Sequence, residues 1–144
     1  MTIRELLAQK GSKVFTADSN SGVIDAVKLM TDNKVGCVLV VDKKGLPIGI
    51  FTERDVLRMV ATDIDSILNQ KLTDVMTTDL IIVTPDEEIE VVQNIMTDKH
   101  LRHLPILEEG KIAGMVSIGD IVKVNLKHRE FEIHHMRDYI MGKI

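Results

Sequence analysis

Residues 49–56 read Gly49-Ile50-Phe51-Thr52-Glu53-Arg54-Asp55-Val56, and residues 114–121 read Gly114-Met115-Val116-Ser117-Ile118-Gly119-Asp120-Ile121. Each is a glycine, two apolar residues, a hydroxyl, two variable positions, an aspartate and an apolar residue. Each passes from a strand-like run into a helix-like one, so the hydroxyl and the carboxylate, three apart, stand at the first turn of a helix. One such octapeptide is a weak signal. Two in one chain, with matching flanks, are an internal duplication.

The flanks match on both sides. Met30-Thr31-Asp32 recurs as Met96-Thr97-Asp98 at an offset of 66, which holds through Val40 and Ile106. Asp42-Lys43-Lys44-Gly45 then becomes Glu108-Glu109-Gly110, and the offset drops to 65 through Gly49/Gly114 and Asp55/Asp120. A polar, Gly-ended turn is where a repeat tolerates a deletion. Within each copy, Lys13–Ala17 and Asp79–Val83 read as short strands. Val23, Ala26, Val27 and Met30 make a helical stripe, repeated by Ile89, Val92 and Met96. In the second copy Thr84-Pro85-Asp86-Glu87 is expected to start the helix, with Thr84 as N-cap and Pro85 at its first position. Gly36–Val41 and Leu46–Phe51 read as a hairpin, as do Leu104–Leu107 and Lys111–Val116. A closing helix starts near Glu53 and near Ile118, and Val60–Lys71 connects the copies.

The expected fold class is therefore α/β, of the α+β kind: two β-α-β-β-α repeats. A three-stranded sheet with helices on one face cannot hide its own apolar face, so the copies should pack about a pseudo-twofold axis. The division by sequence order is 1–71 for the first repeat with an N-terminal helix and the connector, 72–127 for the second, and 128–144 for a C-terminal amphipathic helix.

Composition narrows the partners. The chain has 144 residues, 44% of them hydrophobic, enough for one domain or two small repeats sharing a core. Its net charge of -4, three Phe, one Tyr and no Trp supply neither a basic footprint nor stacking platforms for nucleic acid. The longest apolar run, Val35–Val41, is far short of a membrane span, so a soluble, cytoplasmic protein is expected. The single cysteine, Cys37, lies in that run and reads as a buried thiol without chemistry.

The two octapeptides, with Val83-Thr84-Pro85-Asp86 and Arg102-His103-Leu104-Pro105-Ile106, resemble the CBS-domain signature over residues 12–126. The resemblance implies a disc-like tandem pair whose clefts bind adenosine derivatives: AMP, ADP, ATP or S-adenosylmethionine. Such pairs sense energy or metabolite state and regulate another protein. Here that client is expected to be a separate chain, and the module itself to be no enzyme, with no catalytic cofactor and no metal.

The residues suit that chemistry. At the positive end of a helix, Thr52 with Asp55, and Ser117 with Asp120, can hold a phosphate with the hydroxyl and ribose hydroxyls with the carboxylate. The plain alternative is a pair of capping boxes, and capping holds in either case. By resemblance Arg102 and His103 lie at the mouth of the Asp120 cleft as cationic phosphate ligands, where the first copy has only Gly36 and Cys37. Arg54 partly substitutes for them in the Asp55 cleft. The adenine slot is expected around Val14 and Phe15 for the Asp120 cleft and around Leu80 and Ile81 for the Asp55 cleft, with Pro105 bordering the base.

Other motifs carry less. His134 and His135 point to different helix faces, and His128 finds only Glu132 four residues on, so a solvated helix is read there and no metal site. Asp86-Glu87-Glu88 complements a helix dipole. Val122, Leu126, Ile133, Met136 and Ile140 form one apolar face broken by Arg129, and self-association into a homodimer is the economical way to cover it. Three functions stay open: a nucleotide sensor acting on a client, a structural or adaptor dimer with vestigial clefts, and a small enzyme or metal protein using the histidines. S-adenosylmethionine and NADH are the alternative ligands.

Overall fold

The computed structural model describes residues 1–142; the last two residues of the expected C-terminal helix, 143 and 144, lie outside the described residues. The chain runs α1 (Ile3–Lys10), β1 (Thr16–Asp18), α2 (Val23–Asn33), β2 (Cys37–Val41), β3 (Pro47–Thr52), α3 (Glu53–Thr62), α4 (Ser66–Asn69), α5 (Leu72–Val75), α6 (Ile89–Lys99), β4 (His103–Glu108), β5 (Lys111–Ser117) and α7 (Ile118–Ile140). The repeat order inferred from sequence is present in both copies apart from the second copy's first strand. The closing helices begin at Glu53 and Ile118, as their caps dictate.

The first sheet has the order β1-β2-β3, with β1 parallel and β3 antiparallel to β2. The second is only β4-β5, joined by a single parallel bridge from Val83 to Ile106. The expected strand at Asp79–Val83 is thus nearly lost, and Pro105 explains why. In the first copy Leu39 N–H donates to Phe15 O at 3.0 Å. Its counterpart 66 residues on is Pro105, which has no N–H to give, so Ile81 loses its ladder bond and pairing begins only at Val83.

The expected start of α6 is also displaced. Thr84–Glu87 closes a turn, with Glu87 N–H donating to Thr84 O at 3.3 Å, and the helix begins at Ile89 after Glu88. Proline at the second position suits a turn as well as a helix start. What claims this segment is the N-terminus: Ile3 N–H donates to Glu87 O, Arg4 N–H to Pro85 O and Ile89 N–H to Met1 O. The corresponding claim on the first copy comes from the connector, through Val23 N–H to Gln70 O and Leu72 N–H to Ser21 O.

The cores are exchanged accordingly. Ile3, Leu6 and Leu7 of α1 are buried with Val92, Met96, Leu104 and Ile106 of the second copy. Leu72 is buried with the first-copy core of Val23, Met30, Val38 and Phe51, and Val75 and Met76 pack against it. Each lead helix thus covers the sheet of the opposite repeat in sequence. This explains both signature glycines. A methyl at Gly114 would stand 2.7 Å from Leu7 Cδ2, and one at Gly49 would collide with the Met76 side chain.

Candidate functional site

Two clefts lie between the copies, and each draws its wall from both. The larger, about 270 Å³, is lined by Ser117 and Asp120 at the start of α7, by Val14 and Phe15, and by the loop Lys34–Cys37 that follows α2. The smaller, about 130 Å³, is lined by Thr52, Arg54 and Asp55 at the start of α3 and by the loop His100–His103 that follows α6. The loops correspond at the repeat offset of 66. Each turns through a left-handed residue at its helix end, Lys34 at φ 55° and His100 at φ 56°, whose N–H caps the last turn.

At both helix starts the hydroxyl and carboxylate form reciprocal caps. Thr52 N–H donates to Asp55 Oδ2 at 2.8 Å, and Asp55 N–H to Thr52 Oγ1 at 3.4 Å. Ser117 N–H donates to Asp120 Oδ2 at 2.9 Å, and Asp120 N–H to Ser117 Oγ at 3.1 Å. Capping occupies Oδ2 in each case. The other carboxylate oxygen remains for a ligand hydroxyl, although Asp55 Oδ1 has Arg58 Nη1 at 3.6 Å.

The surroundings of the two carboxylates differ, because the lead helices differ in length. α5 has four residues, after which Thr77 pairs with Ile50 through both backbone bonds. α1 has eight, and its last residue, Lys10, lies over the repeat-equivalent spot: Nζ donates to Met115 O and to Asp120 Oδ2, each at 2.6 Å. Burial alone would raise the Asp120 carboxyl, but the hydrogen bonds from Lys10 and Ser117 and the Lys10 charge outweigh it and hold the group below its ordinary range.

Several expected site residues stand where they were sought. Thr52, Arg54 and Asp55 share one cleft, and Val14, Phe15, Ser117 and Asp120 the other. Others do not. Arg102 lines the Asp55 cleft, not the Asp120 cleft, because the loop ahead of each hairpin crosses to the opposite signature. His103 borders both clefts, with its ring over Gly36: a methyl there would lie 3.2 Å from Cε1. It is no ready cation. Burial lowers its pKa, helped by Lys10 and Arg102 and opposed by Glu53 and Asp120, so the imidazole is neutral near pH 7. Leu80 and Ile81 line neither cleft; Ile81 packs on the second core. Thr77 takes the expected place. Pro105 is buried in the sheet and borders neither cleft.

Sequence reading missed the lysines. Lys10, Lys13 and Lys34 ring the Asp120 cleft, with Lys13 Nζ 5.0 Å from the Phe15 ring centre. Arg58 and His100 join Arg54 and Arg102 at the Asp55 cleft. The equivalence of Lys34 and His100 at the repeat offset could have been noticed; nothing in the sequence marks Lys10. Cys37 is buried, and burial pushes its thiol up to about 12. Among the described residues, no three His, Cys, Asp or Glu side chains are grouped to hold a metal ion. No helix among them is long and apolar enough to cross a membrane.

A family model for the CBS domain matches residues 3–62 and 72–127. The chain belongs to the CBS domain family. The CBS domain-containing protein CBSX3, mitochondrial, of Arabidopsis thaliana is 35% identical over 98% of this chain and 72% of its own length. Among solved structures, the CBS-domain containing protein ATU1752 from Agrobacterium tumefaciens superposes with a TM-score of 0.83 at 34% identity, covering 87% of this chain and 99% of that one. A more distant CBS domain protein, PAE2072 from Pyrobaculum aerophilum complexed with AMP, shares the fold at 22% identity and a TM-score of 0.75, over 83% and 89% of the two chains. The CBS match ends at Lys127, so the last part of α7 lies beyond the paired repeats.

Proposed function

We propose that this CBS pair is a non-catalytic regulatory module of the cytoplasm, which binds an adenine nucleotide and signals to a separate client protein. The observation that carries the reading is the Asp120 cleft. It offers a ribose-binding carboxylate oxygen at a helix N-terminus, the Phe15 ring and Val14 as a base slot, and three lysine ammonium groups against one carboxylate for a phosphate. The Asp55 cleft has the same carboxylate device and three arginines, but half the volume and no Phe or Tyr ring. The Asp120 cleft is therefore the primary site, and AMP, ADP or ATP its ligand class. The AMP carried by PAE2072 supports that class. The client relation goes with self-association through the exposed face of α7.

Titration calorimetry against AMP, ADP, ATP, S-adenosylmethionine and NADH tests the proposal. One tight phase with a phosphorylated nucleotide is expected, lost in Asp120→Ala and spared in Asp55→Ala. Tight binding of S-adenosylmethionine or NADH alone would replace the ligand assignment. Silence toward all five at millimolar concentration would overturn the sensor reading in favour of an adaptor dimer.

A further inference from the structure

Leu126 to Ile140 is a helix with almost nothing beneath it. Up to Asn125, α7 is held to the body: Ile121 is buried, Val124 packs on the second core, and Asn125 Nδ2 donates to Gln93 Oε1 at 3.2 Å. Beyond it every residue is exposed except half-buried Asp138. Fifteen residues make about 22 Å of helix, and a lone helix of that length is marginal in water. Something must cover it.

The sequence of this segment has a register that an ordinary amphipathic helix lacks. Val122, Leu126, Arg129, Ile133, Met136 and Ile140 are spaced four, three, four, three, four. That is a heptad seam, with Leu126, Ile133 and Ile140 at a and Val122, Arg129 and Met136 at d. The five apolar residues of the seam are between 49% and 78% exposed. The histidine–carboxylate pairs His128–Glu132 (3.1 Å) and His134–Asp138 (3.3 Å) hold the histidines at the outer positions b and c.

We propose that Leu126–Ile140 forms a parallel two-stranded coiled coil with the same segment of a second copy of the chain. This rests on the self-association named above and gives it a geometry. Charge selects the direction. In a parallel pair, Glu132 at g meets Arg137 at e of the second copy, and Arg129 at d lies beside Glu130 at e, each twice by symmetry. An antiparallel pair that matched the same layers would set Leu126 against Met136, and would bring Glu130 against Glu130, Glu132 against Glu132 and Lys123 near Arg137. Arg129 remains an unfavourable core residue in the parallel pair. It keeps the association reversible, and Arg129→Leu should tighten it.

Sedimentation of the full chain at micromolar concentration, with cysteine cross-linking, is the test. A dimer is expected, weakened roughly a hundredfold or more by Ile133→Glu, which buries an unpaired charge in the seam. The melting of the body should be unchanged in that variant. Met136→Cys should cross-link to itself under mild oxidation, since d faces d only in the parallel arrangement; buried Cys37 does not compete. A monomer would overturn both the coil and the self-association. A dimer indifferent to Ile133→Glu would overturn the coil alone. A cross-link between Leu126→Cys and Met136→Cys chains, with neither variant linking to itself, would overturn the parallel direction.

Discussion

Lys10→Met should destabilise the ligand-free protein by removing the ion pair to Asp120 and the hydrogen bond to Met115 O, and the size of the ion-pair part follows from its geometry. Nζ stands 2.6 Å from Asp120 Oδ2, with the two side chains 29% and 23% exposed. Unit charges about 4 Å apart attract by about 4 kcal/mol at an effective dielectric near 20. Desolvating both groups and ordering the lysine tail cancel most of that, and the expected coupling is about 1 kcal/mol. For a chain of this length that is about 3 °C in melting temperature. A double-mutant cycle of Lys10→Met and Asp120→Asn, measured by thermal unfolding, isolates the coupling, because asparagine still accepts the Ser117 N–H. The pH dependence has a defined sign. Asp120 is held below its ordinary 3.8, so the stability it contributes is fully present above that value and is lost as pH falls through the folded-state pKa. The gap between wild type and Lys10→Met should therefore shrink only below pH 3.8. Zero coupling at neutral pH, or a gap that closes between pH 5 and 7, would refute the placement of Lys10.

Three further outcomes follow from contacts already described. Gly114→Ala and Gly49→Ala, which press on Leu7 and Met76, should each cost about 1–3 kcal/mol in urea unfolding, whereas Gly119→Ala, whose nearest neighbour would be Ser117 Oγ at 3.6 Å, meets no such crowding. Arg102→Ala should weaken a ligand of the Asp55 cleft about tenfold or more and leave the Asp120 cleft untouched; loss of the tight phase instead would return Arg102 to the Asp120 side. Cys37, buried with its thiol pushed up to about 12, should resist iodoacetamide at pH 7.5 in the folded protein and react once unfolded, read by mass spectrometry.

The repeat, the hairpins, both helix starts at Glu53 and Ile118, and the capping aspartates were legible because each is set by residues near one another in sequence. Hydroxyl and carboxylate three apart can cap only their own helix, so Thr52–Asp55 and Ser117–Asp120 had one geometry open to them. The misreadings all involve segments whose fate is decided by a distant partner. Pro105 removes a donor that Ile81, 24 residues earlier, would have needed. Residues 84–87 read as a helix start until the Ile3 and Arg4 N–H groups donate to the carbonyls of Glu87 and Pro85. Arg102 faces the opposite signature because the repeats interlock, and no local pattern states which cleft a loop enters.

The inequality of the two clefts also has an origin that sequence comparison of the copies would hide. Between Gly49 and Gly114, and between Asp55 and Asp120, the repeats correspond closely, and the caps they build are nearly superimposable in their distances. The difference around the two carboxylates comes from α1 and α5, which precede the duplicated strands. Four extra helical residues let α1 run past the point where α5 stops, and so a lysine ammonium replaces a backbone pairing over the carboxylate. A ribose entering the Asp120 cleft meets a carboxylate already held ionised by Lys10, whereas one entering the Asp55 cleft meets a carboxylate held only by its own helix and an exposed Arg58. Because α1 is anchored on the second repeat through Ile3, Leu6 and Leu7, that lysine is fixed to the sheet whose cleft it serves. The duplication supplied two clefts with one capping device, and the lengths of the two lead helices gave their carboxylates unequal surroundings.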